Sequence, residues 1–243
     1  MSKKLLHDIE QLKQKLYQLR PFDQFQLQNI KQRFRIAYIQ NSNAIEWNTM
    51  TLSEVKVLLE DGITVWWKTI KELRETLNHA EVIDTLYGFF NLDKIEKEKA
   101  LLSLHSTLLQ WCLDPIHIGK RRTIQVEISW SPDSCPNPSQ IPALMDVFLS
   151  SSFMDPKNEE DIARLHYDFV KIHPFVDGNG RIARLLMNAW LVHLWYFPII
   201  IPVVLRNEYI SSLRGDNFVK RYEFFLRQLH ENLKDTVRFF SNL

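Results

Sequence analysis

Apolar positions recur every three to four residues over most of the chain. Leu5, Ile9, Leu12, Leu16 and Leu19 open that pattern and Pro21 stops it, which predicts a first amphipathic helix. A second helix is expected at about 22–39. Thr51-Leu52-Ser53-Glu54 runs into Val55, Val57, Leu58 and Leu59 and reads as a capping box, so a third helix starts there and ends near Asp61-Gly62. Apolar stripes with charges opposite predict longer helices at about 71–90 and 94–113. The period then changes: Thr123-Ile124-Gln125-Val126-Glu127-Ile128-Ser129-Trp130 alternates polar with apolar, and Pro132, Pro136 and Pro138 follow. That is the signal of a short strand or hairpin leading into a loop. Helical spacing resumes at about 141–150, 159–172, 181–195, 208–213 and 217–240.

The uncharged stretch 189–205 is interrupted by His193, Pro198 and Pro202 and is too short for a membrane span; it predicts a buried helix followed by a buried extended piece. No repeat, linker or low-complexity tract interrupts the chain. The expected fold is one mainly α unit with a small β flap, on which the N-terminal helices form a subdomain.

Composition narrows the function classes. At 243 residues and 45% hydrophobic content the chain can bury a full core. Thirty Lys and Arg against 29 Asp and Glu give a net charge of +1, hence no global attraction to nucleic acid or an acidic membrane. Anion binding must be local. Cys112 and Cys135 form neither a disulfide framework nor metal-ligand spacing, as in a reduced, cytoplasmic protein. The first ten residues carry charges every few positions and no apolar core of a secretion signal.

Two of the six glycines lie within three residues, at Gly178-Asn179-Gly180. Glycine permits positive φ, and a Gly-rich turn entering a helix aims N–H groups and the positive dipole end at one point, a cradle for phosphate. Arg181 and Arg184, three residues apart on that helix, add two fixed charges suited to a polyphosphate. No Gly-Lys-Ser or Gly-Lys-Thr follows and no strand precedes, which excludes a P-loop and a Rossmann fingerprint. Asp177 before the cradle suits Mg²⁺ held by one carboxylate and substrate phosphates. His173, at the end of the preceding helix, is the candidate general base. Each residue alone is better explained as a turn, a structural histidine or a solvated arginine. Base, carboxylate, paired glycines and paired arginines within twelve residues carry a functional reading together.

These residues resemble the Fic (Fic/DOC) family, whose signature HxFx(D/E)GNGRxxR is met by His173, Phe175, Asp177, Gly178, Asn179, Gly180, Arg181 and Arg184. The resemblance covers roughly 119–217. It implies an α-helical Fic-type domain with a β-hairpin flap, transferring AMP from ATP to a Ser, Thr or Tyr hydroxyl of a target protein or of itself. In that reading His173 activates the hydroxyl, Phe175 packs beneath the loop and Asp177 holds Mg²⁺. Gly178, Asn179 and Gly180 form the anion hole, Arg181 contacts phosphates and Arg184 holds the γ-phosphate. Gly180 and Arg184 both stand where the family's phosphorylating branch is altered, which favours AMP transfer.

Upstream, Ser42-Asn43-Ala44-Ile45-Glu46-Trp47-Asn48 resembles the family's inhibitory motif (S/T)xxxE(G/N), as in the class whose inhibitory helix is N-terminal. Ser42 and Glu46 match and Trp47 departs. The resemblance implies that Glu46 pairs with Arg184 and blocks the γ-phosphate, and that the same site could remove AMP with Glu46 positioning water. It divides the chain into an N-terminal helical region, 1–90, carrying the inhibitory helix, and a Fic core, 91–243. Thr123, Ile124, Gln125 and Val126 resemble the target-holding flap, which would add an extended target segment as a strand. Tyr209 and Asn217 lie where relatives place base-contacting residues. The adjacent Trp66 and Trp67 would suggest self-association if exposed. Two readings stand beside AMP transfer: another nucleotide or phosphocholine transfer on the same scaffold, and a silent nucleotide-sensing module.

Overall fold

A computed structural model describes residues 2–85, 94–128, 135–150 and 155–241. Ten α-helices are found among them: α1 (Ser2–Gln18), α2 (Gln24–Ile45), α3 (Leu52–Glu60), α4 (Ile70–Thr85), α5 (Lys94–Leu109), α6 (Ile141–Ser150), α7 (Glu159–Ile172), α8 (Asn179–His193), α9 (Arg206–Leu213) and α10 (Phe218–Ser241). Local chemistry explains many boundaries. Asp23 caps α2 by accepting from the N–H groups of Phe25 and Gln26. Thr51 and Glu54 make the anticipated reciprocal capping box on α3. Glu159, Glu160 and Asp161 crowd the first turn of α7 and Lys171 its last, both matched to the helix dipole.

The architecture centres on α8. Every residue from Arg181 to Leu191 is buried, so this helix has no solvent face. α7 and α2 pack on it, α4 joins α2 to α5, and α1 lies along α10, which in turn contacts α7 and α9. Ile9 and Leu16 of α1 share one apolar core with Trp190, Phe169 and Leu229, so the N-terminal helices are integral to the packing.

Several expectations are corrected. The second helix continues to Ile45, which places Ser42 on its last turns and Glu46 at its C-cap. The fifth ends at Leu109: Trp111 takes positive φ, and the Asn78 side chain donates to the carbonyls of Leu108 and Gln110. The helix after the loop starts at Asn179, two residues early. The fourth is described as far as Thr85, its expected remainder lying outside the described residues.

No strand occurs among the described residues. The segment 123–128 has no regular structure, and 129–134, where the hairpin's turn and return arm would fall, lie outside the description. Side-chain bonds tie this segment down: Gln125 donates to the Cys135 carbonyl and Arg122 to those of Ile124 and Pro136. The extended piece after α8 has a similar arrangement, Asn188 bonding both N–H and C=O of Ile199 as a surrogate strand. Among the described residues no helix is long and apolar enough to cross a membrane.

Candidate active site

The loop between α7 and α8 is fixed from below. Phe175 is fully buried and stacks on His105 of α5, ring centroids 4.0 Å apart. The His105 Nδ1 accepts from the Gly119 N–H, so its Nε2–H is the proton that meets the Asp177 carbonyl at 3.2 Å. Burial pushes this imidazole down to about 4, and it stays neutral as that pairing requires. Asn179 clasps Phe175 through both its side-chain atoms, accepting from its N–H and donating to its C=O. Its amide is therefore spent on the loop, and only its main chain is free for a ligand.

Gly178 sits at φ 79°, and a Cβ there would lie 2.7 Å from the Leu109 side chain, so two separate constraints demand glycine. As N-cap of α8 it supplies no side-chain acceptor, which leaves the first N–H groups of the helix pointing out without a cap. With the dipole, they suit an anion.

His173 terminates α7 in the left-handed region, φ 51°. Its Nδ1 lies 3.2 Å from the Val170 carbonyl, which can only accept, so the neutral ring carries its proton on Nδ1 and its lone pair on Nε2. Burial holds its pKa below the ordinary histidine value, outweighing the Val170 carbonyl and the carboxylates of Glu46 and Asp177. The ring is thus a neutral acceptor at pH 7.

Arg184 is 2% exposed, and α2 surrounds its guanidinium. Nε donates to Ser42 Oγ at 3.0 Å, and Nη2 donates to the Ser42 carbonyl and to Glu46 Oε1, both at 2.8 Å. Burial disfavours the cation, yet the Glu46 carboxylate with Tyr209 and Tyr38 reverses that and raises the guanidinium pKa. Gly180 makes the pairing sterically open: a Cβ at that position would overlap the Glu46 carboxylate.

A cavity of about 190 Å³ lies over the loop, lined by Glu46, Trp47, His173, Asp177, Gly178, Asn179, Gly180, Arg184, Arg206 and Tyr209 among others. Other candidates stand elsewhere. Arg181 is buried off the cavity, paired with Glu75 of α4 at 3.1 Å and with Asp177 at 3.6 Å. Ser42 lies behind Arg184. Asn217 is exposed and caps α10 by accepting from the Lys220 N–H, while Tyr209 forms cavity wall. Of the flap segment, Glu127 and Ile128 reach the cavity rather than Thr123 to Val126.

His105, Glu75, Arg122 and Arg206 escaped sequence reading. None belongs to a local pattern. Among the described residues no cluster of three or more His, Cys, Asp or Glu forms a metal cage. Asp177, partly exposed on the cavity, fits a hard cation shared with phosphate oxygens.

Residues 93–191 match the model of the Fic/DOC family. The chain is 34% identical over 188 residues to protein adenylyltransferase fic-1 of Caenorhabditis briggsae, covering 74% of this chain and 36% of that protein. It is 36% identical over 201 residues to protein adenylyltransferase Fic of Drosophila yakuba, covering 79% and 39%. The chain thus spans about two fifths of the length of these relatives. Its fold is that of a Fic domain containing signaling protein from Bacteroides thetaiotaomicron, with TM-score 0.85, 24% identity and coverage of 97% of this chain and 98% of that one. A solved fragment of Fic-1 from C. elegans superposes with TM-score 0.75 over 99% of this chain and 71% of its own. Sequence signature, loop geometry and fold agree, and residues 93–191 of the chain form a Fic/DOC family domain.

Proposed function

We propose that the protein is an adenylyltransferase that moves AMP from ATP to a hydroxyl of a target protein and is restrained by its own α2. The observation that carries this reading is Arg184: the one cavity-lining arginine of the signature is already engaged by Glu46. In the released state ATP phosphates would take the uncapped N-terminus of α8 and Arg184. Asp177 would hold Mg²⁺, which supplies charge neutralisation on the phosphates when bound. His173 Nε2 accepts the proton of the target Ser, Thr or Tyr hydroxyl as that oxygen bonds to the α-phosphorus. The bond to the bridging oxygen breaks and pyrophosphate leaves.

With Glu46 in place the γ-phosphate has lost its cation and would meet a carboxylate instead, so the isolated protein is expected to label weakly. Glu46 beside His173 could also orient water for removal of AMP. The segment Thr123 to Val126 would hold the target by strand addition, its hairpin forming with that strand. Unpaired Cys112 and Cys135 support a cytoplasmic setting. Trp66 and Trp67, 87% and 60% exposed, support self-association.

The test is labelling with radioactive ATP of wild type, Glu46→Gly and Glu46→Gly/His173→Ala proteins. Glu46→Gly should label itself or lysate proteins strongly and the double variant should not. A Glu46→Gly protein that binds ATP and labels nothing would leave only the sensing module.

A further inference from the structure

Arg122 is 2% exposed, and among the described residues its donors serve main-chain oxygens drawn from three stretches of chain. Its backbone N–H donates to Pro174 O at 2.8 Å and its Nε to His173 O at 2.7 Å. Nη1 donates to Ile124 O at 3.2 Å and Nη2 to Pro136 O at 2.7 Å. Ile124 and Pro136 lie at the two described ends of the flap segment, and His173 bears the catalytic ring.

We propose that Arg122 is the positioning residue of the site, a single buried fork that mounts the base and both ends of the target-binding flap on one frame. This rests on the transfer reading above.

The choice of residue is informative. A buried cation that meets no carboxylate among the described residues is costly, and packing alone would be served by an apolar side chain. What only arginine provides is a planar fork with donors diverging to carbonyls in three directions; a lysine ammonium is a point donor and cannot span them. The backbone it grips needs holding. His173 lies at φ 51°, where a non-glycine residue is strained, and Arg122 bonds the carbonyl of that residue and of the next. Releasing the His173 carbonyl, the one of the two that the side chain holds, would let the turn relax and swing the imidazole while the main-chain bond to Pro174 remains. The same loss would free Ile124 and Pro136, so a target segment laid on the flap would shift relative to Nε2 along with the base itself. Arg122 is not among the residues lining the cavity.

The experiment compares Arg122→Lys and Arg122→Gln in the Glu46→Gly background by hydrogen exchange, ATP affinity and rate of labelling. Exchange in 122–128, 135–137 and 173–178 should rise about fivefold or more, the equivalent of one lost hydrogen bond, while α7 and α8 keep their protection. ATP affinity should change less than about twofold and labelling at saturating ATP should fall roughly a hundredfold, the cost of a misplacement near 1 Å. Unchanged exchange in those three segments would overturn the proposal. So would loss of protection throughout α7 and α8 together with ATP binding, the mark of a merely structural residue. If the Glu46→Gly parent labels nothing, the transfer reading fails, and exchange with ATP affinity still decides whether Arg122 mounts the loop and flap.

Discussion

Arg206 of α9 holds its guanidinium carbon 3.8 Å from the ring centre of Trp47 while its Nε donates to the Ile45 carbonyl at 2.7 Å. The residue that departs from the family's inhibitory motif is therefore part of a latch across the end of α2. Trp47 sits at φ 72°, a conformation better suited to the glycine of the motif, so its ring contact must offset backbone strain of about 1–2 kcal/mol. Trp47→Gly should remove that strain and the latch together. We expect little change in Tm and a rise of roughly two- to fivefold in basal self-labelling, the value of an exposed cation–π contact. Radiolabel incorporation against Glu46→Gly sets the scale, and a fall in labelling would contradict the latch.

The acid limb of activity should lie low. The base must be neutral to accept a proton, so activity is present above the His173 pKa and is lost as pH falls through it. Burial depresses that pKa below the usual value of about 6.5, and Glu46 is one of the groups opposing the depression. Removing Glu46 lowers it further. The pH profile of Glu46→Gly labelling at saturating ATP should have its acid midpoint below about 6.5; a midpoint above that would remove His173 as the base or its buried setting.

Glu75 and Arg181 form an ion pair inside the protein, 8% and 2% exposed, and Glu75 also accepts from Asn48 at 3.0 Å. Glu75→Gln keeps an acceptor for Asn48 and leaves Arg181 only the more distant, half-exposed Asp177 carboxylate, at 3.6 Å, as a counter-charge. The expected loss is about 3 kcal/mol, or roughly 6–12 °C in Tm for a chain of this size, read by calorimetry. An unchanged Tm would mean that the pair contributes nothing net.

Gly178→Ala confronts positive φ and the Leu109 side chain at once. Conformation alone should cost about 1–2 kcal/mol in urea unfolding, with overlap adding to it. In a Leu109→Ala background, which opens that space at the cost of a core cavity, Gly178→Ala should lose only the conformational part. No loss in that background would show that φ at this position is not the constraint.

Much of this was legible in the chain itself. Helical periodicity placed ten helices to within a few residues where caps are local, as at Thr51 and Asn158, because a cap is a contact between residues three apart. It misplaced ends set by remote groups, such as the end of α5, where Asn78 of α4 takes the last carbonyls. Alternation at 123–128 predicted a strand; none is found among the described residues, the residues that would pair with it, 129–134, lie outside them, and side-chain bonds from Gln125 and Arg122 tie the segment to its surroundings.

The site divides in the same way. Residues His173 to Arg184 could be read together because a loop and one helix turn bring near neighbours to one point, and Glu46 could be read through a motif of its own. The pairing of Glu46 with Arg184 across 138 residues was implied by that resemblance and is met at 2.8 Å, whereas that Arg181 turns to Glu75 and that Arg122 and His105 grip the loop across 51 and 72 residues were decided by packing. Local sequence specifies periodicity, caps and the chemistry available along one stretch. Which buried charge faces which partner depends on how α2, α4 and α5 settle against α8, and only the tertiary structure records that.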